Sequence, residues 1–123
     1  MTTTGKKVLI VEDERPLSKA LQLKFSKEGY IADVANDGEE ALQMIETTKY
    51  DVVLLDLVMP KKDGFELLSD LNAKGIKVPV IVVSNLGQEE DIEKTKKFGV
   101  KGYLIKANST LEDIVNTINK FLA

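Results

Sequence analysis

The segment that decides the fold reads Tyr50-Asp51-Val52-Val53-Leu54-Leu55-Asp56-Leu57-Val58-Met59-Pro60. Its four consecutive apolar residues, 52–55, are typical of a strand that is buried on both faces of a sheet. The run stops at the carboxylate of Asp56. Pro60 then predicts a loop, because proline lacks an amide hydrogen and disfavours helical geometry in the residue before it. Ligands of open α/β sheets bind outside the carboxyl ends of the strands, so Asp56 stands where a ligand site is expected.

The composition is that of one globular domain and excludes several classes of chemistry. The 123 residues are 43% hydrophobic and 30% charged, and no apolar run approaches the ~20 residues that a membrane-spanning helix needs. We therefore expect a cytoplasmic protein that does not enter a membrane. Cysteine and histidine are absent, which excludes Ser-His-Asp and Cys-His catalysis and zinc sites with thiolate or imidazole ligands. A net charge of -3 gives no electrostatic reason for direct nucleic-acid binding.

Apolar runs and helical periodicities alternate along the whole chain. The predicted strands are 7–11, 30–35, 52–55, 78–83 and 102–105, and the predicted helices are 16–28, 39–46, 65–73, 88–98 and 111–122. Alternating strands and helices imply βαβ units, a parallel sheet and right-handed crossovers. We expect a flavodoxin-like, three-layer (βα)5 fold with strand order 2-1-3-4-5 and helices on both faces. One domain is expected over residues 7–123, after a short flexible lead-in at 1–6.

Two of the predicted helices have distinctive sequences. The fourth has only two strong hydrophobes, Ile92 and Phe98, against seven charged residues between positions 89 and 97. A helix that buries so little is expected to be the most loosely held of the set. The fifth is strongly amphipathic, and Ser109 followed by Glu112 is typical of a capping box at its start.

Polar side chains follow four strands that are neighbours in the predicted sheet. Glu12 and Asp13 follow the first strand, Asp56 the third, Ser84 the fourth and Lys106 the fifth. Each has an ordinary explanation when taken alone: acids at a helix N-terminus, a turn hydroxyl, a surface lysine. Together they should converge on one crevice, where three crowded carboxylates require a cation. Oxygen ligands without histidine or cysteine favour Mg²⁺, with Mn²⁺ or Ca²⁺ as possible substitutes.

This set of groups suits phosphoryl transfer. Asp56 would be the nucleophile, as in enzymes that form an aspartyl phosphate. The metal, the ammonium of Lys106 and the hydroxyl of Ser84 would neutralise the phosphoryl oxygens as charge develops.

The ordered motifs resemble the receiver domain of two-component response regulators, including the chemotaxis regulators. The matching pieces are 8–13, 51–56, Met59-Pro60 with Asp63-Gly64, Val83-Ser84 and 102–106. The resemblance implies that Asp56 accepts a phosphoryl group from a phosphohistidine of a sensor histidine kinase or a histidine phosphotransfer protein. It also implies a role for each remaining site residue: Glu12, Asp13, Asp56 and the backbone carbonyl of Val58 would hold Mg²⁺, Ser84 would move to bond the phosphoryl group, Lys106 would pair with it, and Tyr103 would rotate inward.

The resemblance also suggests how the domain signals. The signalling face is expected to comprise the fourth helix, the fifth strand and the fifth helix, and the unphosphorylated domain is expected to be a monomer. Such a domain is not an enzyme toward other molecules, because it catalyses only its own phosphorylation and dephosphorylation. The downstream protein target stays open.

Two positions depart from the receiver pattern, and two others bear on how fast the phosphoryl group is lost. Receivers usually follow the lysine with a cis proline, whereas Ala107 follows Lys106 here. A cis bond before a residue other than proline costs roughly 2.5–4 kcal/mol, so a trans bond is expected. Asn85 is bulkier than the residue usual after the switch hydroxyl and would narrow access to the site. Val58 and Leu86 occupy the positions that flank the approach of water in receivers, and their apolar side chains predict slow loss of the phosphoryl group.

Other functions on the same fold remain as alternatives. A flavodoxin-type cofactor site would need phosphate-binding amides after the first strand, where Glu12-Asp13-Glu14 would repel a phosphate. A haloacid-dehalogenase-like phosphatase or a toprim-type nuclease would need a second acid where Val58 stands. A phosphorylation-independent adaptor with a receiver fold is the main alternative that involves no chemistry.

Overall fold

The computed structural model describes residues 5–123. In chain order the elements are β1 (Lys7–Val11), α1 (Arg15–Lys27), β2 (Ile31–Ala35), α2 (Gly38–Thr47), β3 (Val52–Leu55), α3 (Gly64–Ala73), β4 (Val80–Ser84), α4 (Glu89–Lys97), β5 (Gly102–Ile105), a 3₁₀ helix (Lys106–Asn108) and α5 (Leu111–Leu122). Residues 1–4 of the predicted lead-in lie outside the described residues.

The five strands form one parallel sheet in the order β2-β1-β3-β4-β5, as predicted. The central strand β3 is buried along its whole length, in agreement with its uninterrupted apolar sequence. Its register places Leu55 beside Val11 on one side and beside Val82 on the other. The residues that follow β1, β3 and β4 therefore emerge at one edge of the sheet.

Alternate residues of each strand point to opposite faces and build two separate cores. On one face Leu9, Val53 and Val82 pack with buried residues of α2 and α3. On the other face Ile10 and Leu54 pack with buried residues of α1 and α5. This is the expected three-layer arrangement with helices on both sides of the sheet.

Helix α4 is held to the domain by few buried side chains. Thr95 is its one fully buried residue, and the Thr95 hydroxyl donates to the carbonyl of Ile92 at 2.7 Å. Ile92 and Phe98 are only half-buried. The ammonium of Lys94 lies 4.4 Å from the centre of the Phe65 ring, a cation–π contact that links α4 to α3.

The predicted capping box of the last helix is wrong by one residue. Thr110, not Ser109, is the N-cap: its hydroxyl accepts from the Asp113 amide at 3.0 Å, and the Asp113 carboxylate accepts from the Thr110 amide at 2.9 Å. The Ser109 hydroxyl instead donates to the carbonyl of Ile105 at 2.9 Å. A second capping box, Asp63 with Glu66, begins α3 at Gly64, one residue before the predicted start of that helix.

Two further sequence-based expectations concern backbone geometry and membranes. Residues 5–123 contain no cis peptide bond, so the bond between Lys106 and Ala107 is trans, as predicted. Within the same residues, no helix combines the length and the apolar character needed to cross a bilayer.

Candidate functional site

The ammonium of Lys106 is surrounded by carboxylates from two other strand ends. Its Nζ lies 2.9 Å from Glu12 Oε1, 3.1 Å from Asp56 Oδ2 and 3.1 Å from Glu14 Oε1. The structure thus brings together Glu12 after β1, Asp56 after β3 and Lys106 after β5, as the sequence predicted. Glu14 was not among the predicted site residues. Its position directly after the pair Glu12-Asp13 was the only indication in the sequence that it belongs to the site. Its side chain is largely exposed, so the sequence fits equally well with a side chain that points into solvent.

Three acids form a cluster suited to a cation. One carboxylate oxygen from each of Glu12, Asp13 and Asp56 lies within 4.8 Å of the others. Glu12 and Asp56 are buried and Asp13 is half-buried. Three hard oxygen donors and no nitrogen or sulphur donor fit Mg²⁺. The carbonyl ligand from Val58 stays a prediction; the Val58 amide lies 3.4 Å from Asp56 Oδ1.

Burial and charge act in opposite directions on the titratable groups. Burial raises the pKa of Asp56, and the charge of Lys106 together with its hydrogen bond offsets only part of that increase. Burial likewise raises the pKa of Glu12. Burial acts to lower the pKa of Lys106, but the hydrogen bond to Glu12 and the charge of Asp56 outweigh it and leave that pKa raised. Lys106 is therefore a fixed positive charge at neutral pH.

Hydrogen bonds to β1 and to the start of α3 hold the backbone around Asp56. The Asp56 amide donates to the carbonyl of Val11 at 3.0 Å, which continues the sheet past the end of β3. The Gly64 amide donates to the carbonyl of Leu57 at 2.9 Å, and a β-carbon on Gly64 would lie 2.7 Å from the carbonyl oxygen of Asp56. Only glycine therefore allows the start of α3 to approach the Asp56 backbone this closely.

The two predicted switch residues are joined through the loop that follows β4. Ser84 is fully buried, and its Oγ accepts from the Leu86 amide at 3.2 Å. The half-buried Tyr103 donates its hydroxyl to the carbonyl of Leu86. Burial raises the pKa of Tyr103, and the charge of Asp91 acts in the same direction, so the hydroxyl remains a donor. Their movement on phosphorylation stays a prediction.

The two apolar residues predicted to flank the approach of water differ in environment. Val58 is 59% exposed, and its amide faces Asp56, so it stands at the mouth of the site. Leu86 is half-buried and packs against the core on the α2–α3 face. Val58 is therefore the better placed of the two to limit the access of water to Asp56.

The comparisons with known proteins identify the class of protein that this fold and site define. The profile of the family described as "Response regulator receiver domain" matches residues 8–119. The chain therefore belongs to the response regulator receiver domain family, as its motifs predicted. Receiver domains are phosphoacceptor signalling modules of two-component systems rather than classical enzymes.

Individual relatives agree with this assignment. The chain is similar to the probable transcriptional regulator ycf27 of Guillardia theta, with 38% identity over 109 residues that cover 89% of this chain and 42% of that protein. It is 35% identical over 108 residues to the alkaline phosphatase synthesis transcriptional regulatory protein PhoP of Bacillus subtilis, which covers 88% of this chain and 45% of that protein. The chain spans less than half the length of these two relatives.

A solved structure gives the same result. The receiver domain of the Francisella response regulator 1452 matches with a TM-score of 0.87 and 35% identity, covering 96% of this chain and 97% of that chain. Membership in this family sets aside the flavodoxin-type cofactor binder, the phosphatase and the nuclease. The adaptor that signals without phosphorylation has the same fold and remains the alternative.

Proposed function

We propose that this domain accepts a phosphoryl group on Asp56 from a phosphohistidine of a sensor histidine kinase or a histidine phosphotransfer protein. The observation that carries the proposal is the buried Asp56 carboxylate, which lies 3.1 Å from the Lys106 ammonium and beside the carboxylates of Glu12 and Asp13. These 123 residues contain no histidine, so the phosphohistidine that donates the phosphoryl group lies outside them.

The reaction exchanges one bond to phosphorus for another. An Asp56 carboxylate oxygen attacks the phosphorus, the P–N bond to the donor imidazole breaks, and the imidazole takes up a proton from solvent. Lys106 neutralises the charge on the phosphoryl oxygens, and the Ser84 hydroxyl donates to one of them after it leaves the Leu86 amide. Glu12, Asp13, Asp56 and the Val58 carbonyl would hold Mg²⁺, with Mn²⁺ or Ca²⁺ as substitutes, and the metal would supply further charge neutralisation.

The signal would leave through α4, β5 and α5. Tyr103 lies on β5 and bonds the loop before α4, so a change at Ser84 reaches both elements. The downstream partner is a protein or a further domain, and we propose no direct contact of this domain with nucleic acid because its net charge is -3. The domain acts in the cytoplasm and is a monomer before phosphorylation.

Labelling with a small phosphodonor tests the proposal. Acetyl phosphate with Mg²⁺ should add one phosphoryl group to the intact protein, detected by mass spectrometry, and beryllofluoride should occupy the same site. Asp56→Asn should abolish the addition, whereas Asp91→Asn, on α4, should leave it unchanged. Addition that persists in Asp56→Asn, or that proceeds at full rate in EDTA, contradicts the assignment. A wild-type protein that neither takes up phosphate nor binds beryllofluoride would favour the adaptor.

A further inference from the structure

The side chain of Asn85 joins the two loops that present Ser84 and Lys106. Asn85 Oδ1 accepts a hydrogen bond from the amide of Ala107 at 2.9 Å. Asn85 directly follows Ser84 at the end of β4, and Ala107 directly follows Lys106 at the end of β5. One hydrogen bond therefore ties together the neighbours of the two residues proposed to contact the phosphoryl group.

Asn85 and Ala107 form a matched donor and acceptor. A proline at position 107 would have no amide hydrogen to donate, and a small aliphatic residue at position 85 would have no oxygen to accept it. These are also the two positions at which the sequence departs from the receiver pattern. The structure makes them partners, so the two departures have one physical explanation.

The amide of Ala107 needs an acceptor from outside its own turn. Lys106–Asn108 is a 3₁₀ helix, which the Ser109 amide closes by donating to the Lys106 carbonyl at 3.2 Å. The first amides of such a turn have no carbonyl partner within it. Asn85 supplies the acceptor and so fixes where the turn begins, immediately after Lys106.

A second bond restrains the same loop from its other side. The Leu86 carbonyl accepts from the Tyr103 hydroxyl, so the segment 84–86 is held to β5 through Tyr103 and to the following turn through Asn85. Of these two tethers, the Asn85 bond lies next to both Ser84 and Lys106. Its loss would remove the one hydrogen bond that the described residues form between the two loops beyond the last paired residues of β4 and β5, Ser84 and Ile105, while the sheet itself stays intact.

We infer that Asn85 is a positioning residue for phosphoryl transfer: its hydrogen bond to the Ala107 amide sets the separation between the Ser84 hydroxyl and the Lys106 ammonium. This inference rests on the proposed phosphorylation of Asp56. A hydrogen bond of ordinary strength is worth about 0.5–1.5 kcal/mol, which corresponds to roughly 2–12-fold in a rate.

A double-mutant cycle tests the inference. Asn85→Ala removes the acceptor and Ala107→Pro removes the donor, and each should slow the phosphorylation of Asp56 by acetyl phosphate by roughly 2–12-fold. The double variant should be no slower than the slower single variant, because both changes break the same bond. Ala107→Gly keeps the amide hydrogen and is the matched control that should retain the wild-type rate to within about twofold. The loss should fall on the maximal rate rather than on the acetyl phosphate concentration at half-maximal rate, and the urea midpoint should stay close to that of wild type.

Amide exchange tests the bond itself without any phosphorylation. In Mg²⁺-free protein, the Ala107 amide should exchange several-fold faster in Asn85→Ala than in wild type, and Asn85→Asp, which keeps an acceptor oxygen, should restore protection. Equal exchange in wild type and Asn85→Ala, or rate losses that multiply in the double variant, would overturn the inference. A wild-type protein that is not phosphorylated on Asp56 would overturn the proposed function and the kinetic role of Asn85, while the exchange data would still decide whether the bond exists.

Discussion

Lys106 shares one positive charge among three carboxylates, and this sets the electrostatics of the site. Glu12, Glu14 and Asp56 all lie within 3.1 Å of its Nζ. Two of these acids, Glu12 and Asp56, also belong to the cluster proposed to hold Mg²⁺. If Mg²⁺ binds in this cluster as proposed, Lys106 and the metal would compete for the same oxygens while the phosphoryl group is absent.

Replacing Lys106 should separate its effects on metal binding and on chemistry. Lys106→Met removes the competing charge, so we expect Mg²⁺ to bind several-fold more tightly, measured by calorimetric titration. The same variant should be phosphorylated much more slowly, because the positive charge is missing where the phosphoryl oxygens develop charge. Lys101→Met, an exposed lysine just before β5, is the control and should change neither quantity. Weaker Mg²⁺ binding in Lys106→Met would contradict the proposed competition.

Val58 should control how long the phosphoryl group survives. Its exposed apolar side chain stands beside Asp56 and offers no group to position an attacking water. We expect slow decay in wild type and decay roughly 10–100-fold faster in Val58→Asn, at 1.36 kcal/mol per decade. Leu86→Glu should have a smaller effect, because Leu86 packs partly against the core. Phosphate release followed after removal of the donor measures both, and equal decay in wild type and Val58→Asn would exclude a kinetic role for this side chain.

The residue scale also shows what a sequence can and cannot predict about a site. Asp56, Lys106 and the Glu12-Asp13 pair were predictable, because apolar runs mark where parallel strands end and strand order brings those ends together. Glu14 and Asn85 were not predicted as members of the same network. Their contacts depend on the direction of a side chain and on the path of a loop. The spacing of apolar residues along the sequence predicts neither.

At the scale of elements, the contact of α3 with the end of β3 depends on Gly64. Gly64→Ala would place a β-carbon 2.7 Å from the Asp56 carbonyl oxygen and 2.8 Å from the Leu57 Cα, both backbone atoms that cannot move aside cheaply. We expect a loss of about 1–3 kcal/mol in the free energy of unfolding and slower phosphorylation. Gly102→Ala is the control, because its β-carbon would make only ordinary contacts of 3.7 Å and more. Equal urea midpoints for the two variants would mean that the loop relaxes around Gly64.

Helix α4 should open more readily than the other α-helices, each of which has at least three fully buried residues, and more readily than the central strand β3. It has a single fully buried residue, Thr95, whereas every residue of β3 is buried. We expect α4 amides to exchange with solvent well before those of β3, since local opening costs less where few apolar contacts are broken. Hydrogen exchange of the unphosphorylated domain measures this difference. Protection of α4 equal to that of β3 would remove the basis for its proposed role in signalling.

Element boundaries were less predictable than the elements themselves. The helical period placed α5 correctly, but Ser109-Thr110 offered two adjacent hydroxyls, and Thr110 became the N-cap because the Ser109 hydroxyl bonds the Ile105 carbonyl instead. Similarly, β4 begins at Val80 rather than at residue 78. Pro79 cannot donate to a neighbouring strand, although its carbonyl accepts from the Val53 amide at 2.8 Å.

At the scale of the whole molecule, the strand order could be predicted from the rules for βαβ units and right-handed crossovers, because strands and helices alternate along the chain. The two cores pack the sheet against the helical layers on both of its faces, and a buried tyrosine lies at the edge of each core. The Tyr30 hydroxyl donates to Asn119 Oδ1 on α5, and the Tyr50 hydroxyl donates to Asp33 Oδ2 at 2.7 Å on the other face of the sheet. Burial raises the pKa of both tyrosines to about 12, and in Tyr50 the bond to Asp33 adds to the effect.

These tyrosines predict how stability depends on alkaline pH. An unfolded tyrosine loses its proton near pH 10, whereas Tyr30 and Tyr50 keep theirs in the fold up to about 12. Between these values the unfolded state binds fewer protons than the folded state, so the free energy of unfolding falls as pH rises. Each tyrosine lowers the free energy of unfolding by up to about 1.36 kcal/mol for each pH unit in that window. Below the window its effect on the slope is zero.

The variant Tyr50→Phe isolates one of the two contributions. At pH 7 it should lower the free energy of unfolding by about 1 kcal/mol, because the bond to the Asp33 carboxylate is lost. Between pH 10 and 12 the stability of the variant should fall less steeply than that of wild type, by up to about 1.36 kcal/mol per pH unit, so the two curves approach each other and then cross. Lysines that titrate in the same range affect both proteins alike and cancel in the difference. Urea unfolding across this range measures both slopes, and parallel curves for wild type and Tyr50→Phe would show that Tyr50 is not held neutral by the fold.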